Sequence, residues 1–141
     1  MTTTTLPASD SPAGARPRVP KAANVLLWIA QVGLAFMFLS AGWMKLATPA
    51  AVMQAQSPLP IELLRFVAVA EILGALGLIL PGLFRIRQIL TPLAAAGLAI
   101  IMAGAVVLTA RGPDLSLVAL PFAVGVVAVA IAYGRWRELR R

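Results

Sequence analysis

The sequence contains no cysteine and no histidine. Those two absences exclude a disulfide, a CxxC redox motif, a thiolate metal site and a His-ligated haem within the chain. Nucleophilic catalysis by a Ser/His or Cys/His pair is excluded on the same ground. Neither a metal site nor a resident cofactor is expected. If the protein takes part in redox chemistry, the electron carrier is a diffusible molecule such as quinone, or it belongs to a partner. Acidic residues are also few: five Asp and Glu stand against twelve Lys and Arg, giving a formal charge of +7.

What the chain has in abundance is apolar surface. Hydrophobic residues make up 60% of its 141 positions, and its mean hydropathy is +0.91. That is too apolar for a soluble domain of this size and points to a protein of the lipid bilayer. The expected fold is all-α, an integral membrane four-helix bundle. The basic residues fall at the ends of apolar segments, which is a mark of membrane topology rather than of a nucleic-acid-binding stripe.

Residues 1–20 are rich in Thr, Pro, Ala and Ser and read as a disordered tail without a signal-peptide h-region. The four-span domain is expected over 21–134, with spans at about 24–46, 60–83, 88–110 and 115–133. Residues 135–141 read as a short basic tail. The connection at 47–60 has room for a short surface helix from Pro49 to Gln56, with Thr48 as its cap. Thr91-Pro92 reads as a cap and first-turn proline, and Asp114 as an N-cap. Pro121 is expected to remove a hydrogen bond to Leu117 and kink the fourth span. Ala95, Ala99 and Ala103 form a small-residue face for helix packing.

Positive charges set the orientation. Arg16, Arg18, Lys21, Arg85, Arg87, Arg135, Arg137, Arg140 and Arg141 fall on one side, and Lys45, Arg65 and Arg111 on the other. Both termini are therefore expected in the cytoplasm.

Within this apolar frame one residue stands out. The second span carries Glu71 near the middle of its stretch Ile61–Pro81. A charge at bilayer depth costs roughly 2.5–3.5 kcal/mol on insertion scales and demands a partner, a proton or a water-filled cavity. Adjacent antiparallel helices bring Lys45 to within about two turns of it in depth, and a lysine stem can snorkel across that gap. Arg65 is the competing cation, but it lies about 120° round the same helix. Glu62 and Arg65 are spaced to pair with each other. Gly74 and Gly77 thin the same helix where another helix or a flat ligand packs, and Gln31 is placed to hydrogen-bond across the bundle. Trp28, Trp43, Tyr133 and Trp136 read as interfacial anchors. The ion pair admits two readings at this point: a register pin between helices, or a site for a ligand, a proton or a quinone.

The order Gly42-Trp43-Met44-Lys45-Leu46, then Glu71-x-x-Gly74-x-x-Gly77-Leu78-x-Leu80-Pro81, resembles the DoxX family of small bacterial membrane proteins over roughly 24–133. The resemblance carries over Gly42, Lys45, Glu71, Gly74 and Gly77. It implies a multi-pass protein of the bacterial plasma membrane that anchors or assists a membrane oxidoreductase, with a quinone pocket in reach. A non-catalytic scaffold or assembly factor, working with another membrane protein or as a homo-oligomer, is the alternative. A small oligomeric transporter using Glu71, Lys45 and Gln31 ranks after it. Cysteine-bearing relatives of similar layout could do thiol chemistry; this chain, without cysteine, cannot.

Overall fold

The computed structural model describes residues 20–140. The expectation for the N-terminal tail therefore lies, apart from Pro20, outside the described residues. Five α-helices follow in order: α1 (Lys21–Ala47), α2 (Ala50–Gln56), α3 (Ile61–Phe84), α4 (Leu90–Ala110) and α5 (Ala119–Leu139). A 3-10 turn, Leu115–Val118, leads into α5. Four of these segments are long and apolar enough to cross a membrane. The 24 residues of α3 extend about 36 Å at 1.5 Å per residue, against a hydrocarbon core of about 30 Å.

The helices close into a ring: α1 packs on α3, α3 on α4, α4 on α5, and α5 returns to α1. The core runs along the axis through Leu34, Phe38, Leu78, Leu98, Val124 and Ile131, with Ala35, Ala75, Ala95 and Ala128 letting the helices close. Outside that core the surface is itself apolar. Phe36, Trp43, Phe66 and Ile100 are all more than half exposed. A continuous apolar exterior is untenable in water and is what lipid requires. The chain is a multi-pass integral membrane protein. Hydroxyls on this exterior turn back on their own helix: Ser40 donates to the Met37 carbonyl and Thr109 to that of Ala105.

Three glycines set how closely α3 can be approached. A Cβ on Gly42 would lie 2.8 Å from the Ala68 carbonyl oxygen and 2.7 Å from Ile72 Cγ1. One on Gly77 would lie 2.8 Å from Ala94 Cβ, and one on Gly74 would meet the Leu98 side chain at 2.7 Å. What packs against Gly74 and Gly77 is thus helix α4.

Several local expectations change. Thr48 does not cap α2; its hydroxyl donates to the Met44 carbonyl at the end of α1. No side chain caps α4, and Thr91 is buried instead. Pro121 does not interrupt a helix interior. The 3-10 turn delays the start of α5 to Ala119, so Pro121 falls in its first turn, where no i−4 bond is due. Asp114 does cap, accepting from the Ser116 hydroxyl at 2.6 Å and its backbone N–H at 2.9 Å. Those bonds hold its carboxyl below the usual carboxylate range. α5 runs on to Leu139, so Arg135, Arg137 and Glu138 are helical rather than part of a loose tail. Of the expected small-residue face, Ala95 is packed in the core. Ala99 packs against that core, and with Ala103 it lines an apolar groove between α4 and α5.

Gly42→Val is expected to destabilise the protein by about 1–3 kcal/mol, since the backbone carbonyl facing it cannot move aside. Gly97→Ala, where a Cβ meets nothing within 4 Å, is expected to be neutral or stabilising by up to about 1 kcal/mol. Thermal unfolding in detergent compares the two.

Candidate functional site

Lys45 stands in the last turn of α1 and Glu71 in the middle of α3. The glycine contact explains why they meet. Gly42 touches Ala68, and each charged residue lies three positions further along its own helix. Because α1 and α3 run antiparallel, the two Cα atoms are displaced in opposite directions, by about 4.5 Å each. Side chains lean toward the N-terminus of their helix. Lys45 therefore leans inward and Glu71 outward, and they close the gap. Lys45 Nζ donates to both carboxylate oxygens, at 2.6 Å to Oε1 and 2.7 Å to Oε2.

The pair is lopsided. The Glu71 side chain is 2% exposed and that of Lys45 is 37% exposed. An ammonium carries three donors, and the carboxylate takes two of them. The third has no partner among the described residues. Beside it lies a cavity of 760 Å³, walled by Leu63, Leu64 and Val67 of α3, by Ile101, Gly104 and Leu108 of α4, and by Ser57 and Leu59 of the connection. It is an apolar space with one charged pair in its wall.

A second polar cluster occupies the end of the bundle that bears the termini. Gln31 is 1% exposed. Its Nε2 donates to the Leu78 carbonyl at 2.8 Å, crossing from α1 to α3. Its Oε1 accepts from Arg135 Nε at 2.7 Å. Arg135 Nη1 donates to Asn24 Oδ1 at 3.0 Å and to Glu138 Oε2 at 2.8 Å. The guanidinium lies over the Trp28 ring, 5.4 Å from its centroid. Trp28 is thus packed within the bundle mouth rather than serving as a free interfacial anchor. Trp43, Tyr133 and Trp136 do face outward, the last two under Arg137 and Arg140.

Of the residues singled out by sequence, Lys45 and Glu71 come together, and Gln31 lies apart from them with Leu34 and Phe38 between. Arg65 is exposed. Among the described residues the ion pairs are Lys45–Glu71 and Arg135–Glu138, so the expected Glu62–Arg65 pair does not form. Phe38, Leu78 and Leu98, all buried, fill the axis between the two polar ends. Asn24, Arg135 and Glu138 were not anticipated. The signal for the last two was their i, i+3 spacing, which is helical.

Comparison with known families matches residues 29–131 to the DoxX-like family. No curated protein and no solved structure matches the chain.

Gln31→Leu leaves both the Arg135 Nε–H and the second acceptor site of Leu78 without the amide. It is expected to cost about 1–3 kcal/mol, the penalty for buried groups left unpaired, whereas Gln54→Leu on the exposed face of α2 is expected to stay within about 0.5 kcal/mol. Chemical or thermal unfolding of the two variants measures the difference.

Proposed function

We propose, from the premise that the chain belongs to the DoxX-like family, that it is a membrane-embedded accessory subunit of an oxidoreductase, and that the cavity beside Lys45 and Glu71 receives a quinone headgroup. The observation that carries this reading is the 760 Å³ apolar cavity ending at the ion pair. Its chemistry fits a lipid-soluble carbonyl compound. Aliphatic walls suit the ring and tail, and the third donor on Lys45 Nζ suits a carbonyl oxygen. Glu71, behind the ammonium, is the group from which or to which a proton can pass. With neither cysteine nor histidine in the chain, the electrons of any quinone reduction come from the partner protein. This chain binds and orients the headgroup and holds a proton close to it.

The placement in the membrane follows from charge. Lys21, Arg85, Arg87, Arg135, Arg137 and Arg140 gather at the end bearing the termini, and Lys45, Arg65 and Arg111 at the other. The richer end faces the cytoplasm of a bacterial plasma membrane, which puts the quinone cavity in the outer half of the bilayer.

A second reading has its own observation. The close approach of Gly42 to the backbone carbonyl of Ala68 supports the ion pair as a register pin, and a scaffold would need no more than that. The two readings part at the cavity. Gly104 lines it, and a Cβ there meets nothing within 4 Å, so Gly104→Phe fills the space without a clash at the backbone. Under the quinone reading, protein purified in mild detergent carries ubiquinone or menaquinone detectable by mass spectrometry, and Gly104→Phe and Lys45→Gln lose most of it. Quinone no more abundant than on an unrelated membrane protein from the same cells sinks that reading and leaves the scaffold.

A further inference from the structure

The opposite end of the bundle holds a cavity of 270 Å³ that takes wall residues from every spanning helix or its flanking turn, among them Gln31, Arg85, Gln88, Thr91, Arg135 and Glu138. It owes nothing to the quinone reading and lies on the other side of the Phe38–Leu78–Leu98 plug.

Arg135, in its wall, carries one buried atom without a partner, Nη2. The guanidinium is fixed by Gln31 through Nε, by Asn24 and Glu138 through Nη1, and by the Trp28 face beneath it. That leaves no freedom to turn. Nη2 is buried and has no hydrogen-bond partner, and among the described residues it is the buried side-chain polar atom in that state. Buried donors are almost always satisfied, so a fixed one without a partner needs an explanation. In the wall of the same cavity, Gln88 and Thr91 bring an amide and a hydroxyl that can both donate.

Charge selects the sign of the ligand. Arg85 and Arg135 face the cavity with Glu138 as the one acid, and Glu138 is already engaged by Arg135 Nη1. One positive charge remains. Size and geometry select the shape. The volume falls just under the range of about 300–1,000 Å³ typical of drug-sized ligands, so it suits one compact group. The donors come from α4, α5 and the turn after α3, so they can approach one tetrahedral oxyanion from several elements, and arginine is well matched to phosphate.

We infer that this mouth binds a phosphate group, either a free phosphate entering from the aqueous side or the phosphate of an anionic lipid headgroup at the membrane surface. Basic pockets between spanning helices take lipid headgroups by the same chemistry.

The test uses the full chain in a maltoside detergent, which carries no phosphate. Thermal unfolding is followed while inorganic phosphate is titrated in one arm and short-chain phosphatidic acid in the other, each against chloride at matched ionic strength. Stabilisation is expected in at least one arm; the phosphate arm identifies a soluble ligand and the lipid arm a headgroup. Arg85 caps α3 with φ of 53°, a left-handed conformation that asparagine also accepts. Arg85→Asn therefore removes the charge while sparing the cap, and is expected to weaken binding at least about tenfold, the equivalent of losing one charge-assisted hydrogen bond. Glu138→Gln is expected to tighten it by removing the one acid. No stabilisation over chloride in either arm overturns the proposal. So does wild-type binding by both variants.

Discussion

Everything distinctive about this bundle depends on one constraint: the carboxylate of Glu71 sits where water does not reach, and it must be answered by Lys45. A lone carboxylate in hydrocarbon costs roughly 2.5–3.5 kcal/mol on insertion scales, so it calls for a partner. The remedy is geometric. α1 and α3 must run antiparallel, must approach at Gly42, and must hold a register in which Lys45 leans inward as Glu71 leans outward. A side chain in place of Gly42 would separate the helices at the point where the pair needs them close. Ala68, fully buried against that glycine, is part of the same arrangement. The ion pair and the glycine contact thus join the first two spans within one turn of each other.

The rest of the bundle adds a division of labour. The two polar clusters sit at opposite ends and are separated by fully buried aromatic and aliphatic side chains. At the cluster far from the termini a charged pair faces an apolar cavity of the kind a lipid-soluble ligand would use. At the cluster beside the termini a fixed arginine lines a small polar mouth walled by all four spans or their flanking turns. The two sites differ in size, lining and charge, so they would select ligands of different chemistry.

The parts legible in the sequence were those that break a strong pattern. Four long apolar runs bounded by arginines and prolines define the spans, and a glutamate in the middle of one of them announces itself. Lys45 follows because it is the cation at a matching depth on the neighbouring helix. The parts that were not legible depend on distance and on competition. Gln31 and Arg135 lie on the first and last helices, and no local spacing links them. Arg135 also resembled a topology charge in a polar tail, because a helix that leaves the membrane loses its apolar signal while keeping its hydrogen bonds. Pro121 was expected to kink a helix, but a 3-10 turn before Ala119 shifted the helix start and placed the ring where no bond is lost. Thr48 was expected to cap the next helix, but its hydroxyl found the nearer Met44 carbonyl behind it. In each case, a single-residue signal was overruled by the turn that contains it.

The dependence of the fold on its ion pair is tested most directly by a double-mutant cycle at Lys45 and Glu71, using Lys45→Met, Glu71→Leu and the two combined, with unfolding free energies measured in one detergent. The account predicts that Lys45→Met alone costs about 3–5 kcal/mol, because it strands a buried carboxylate, and that the double variant recovers most of that loss. Single variants that are each nearly neutral, or losses that simply add in the double variant, would contradict it.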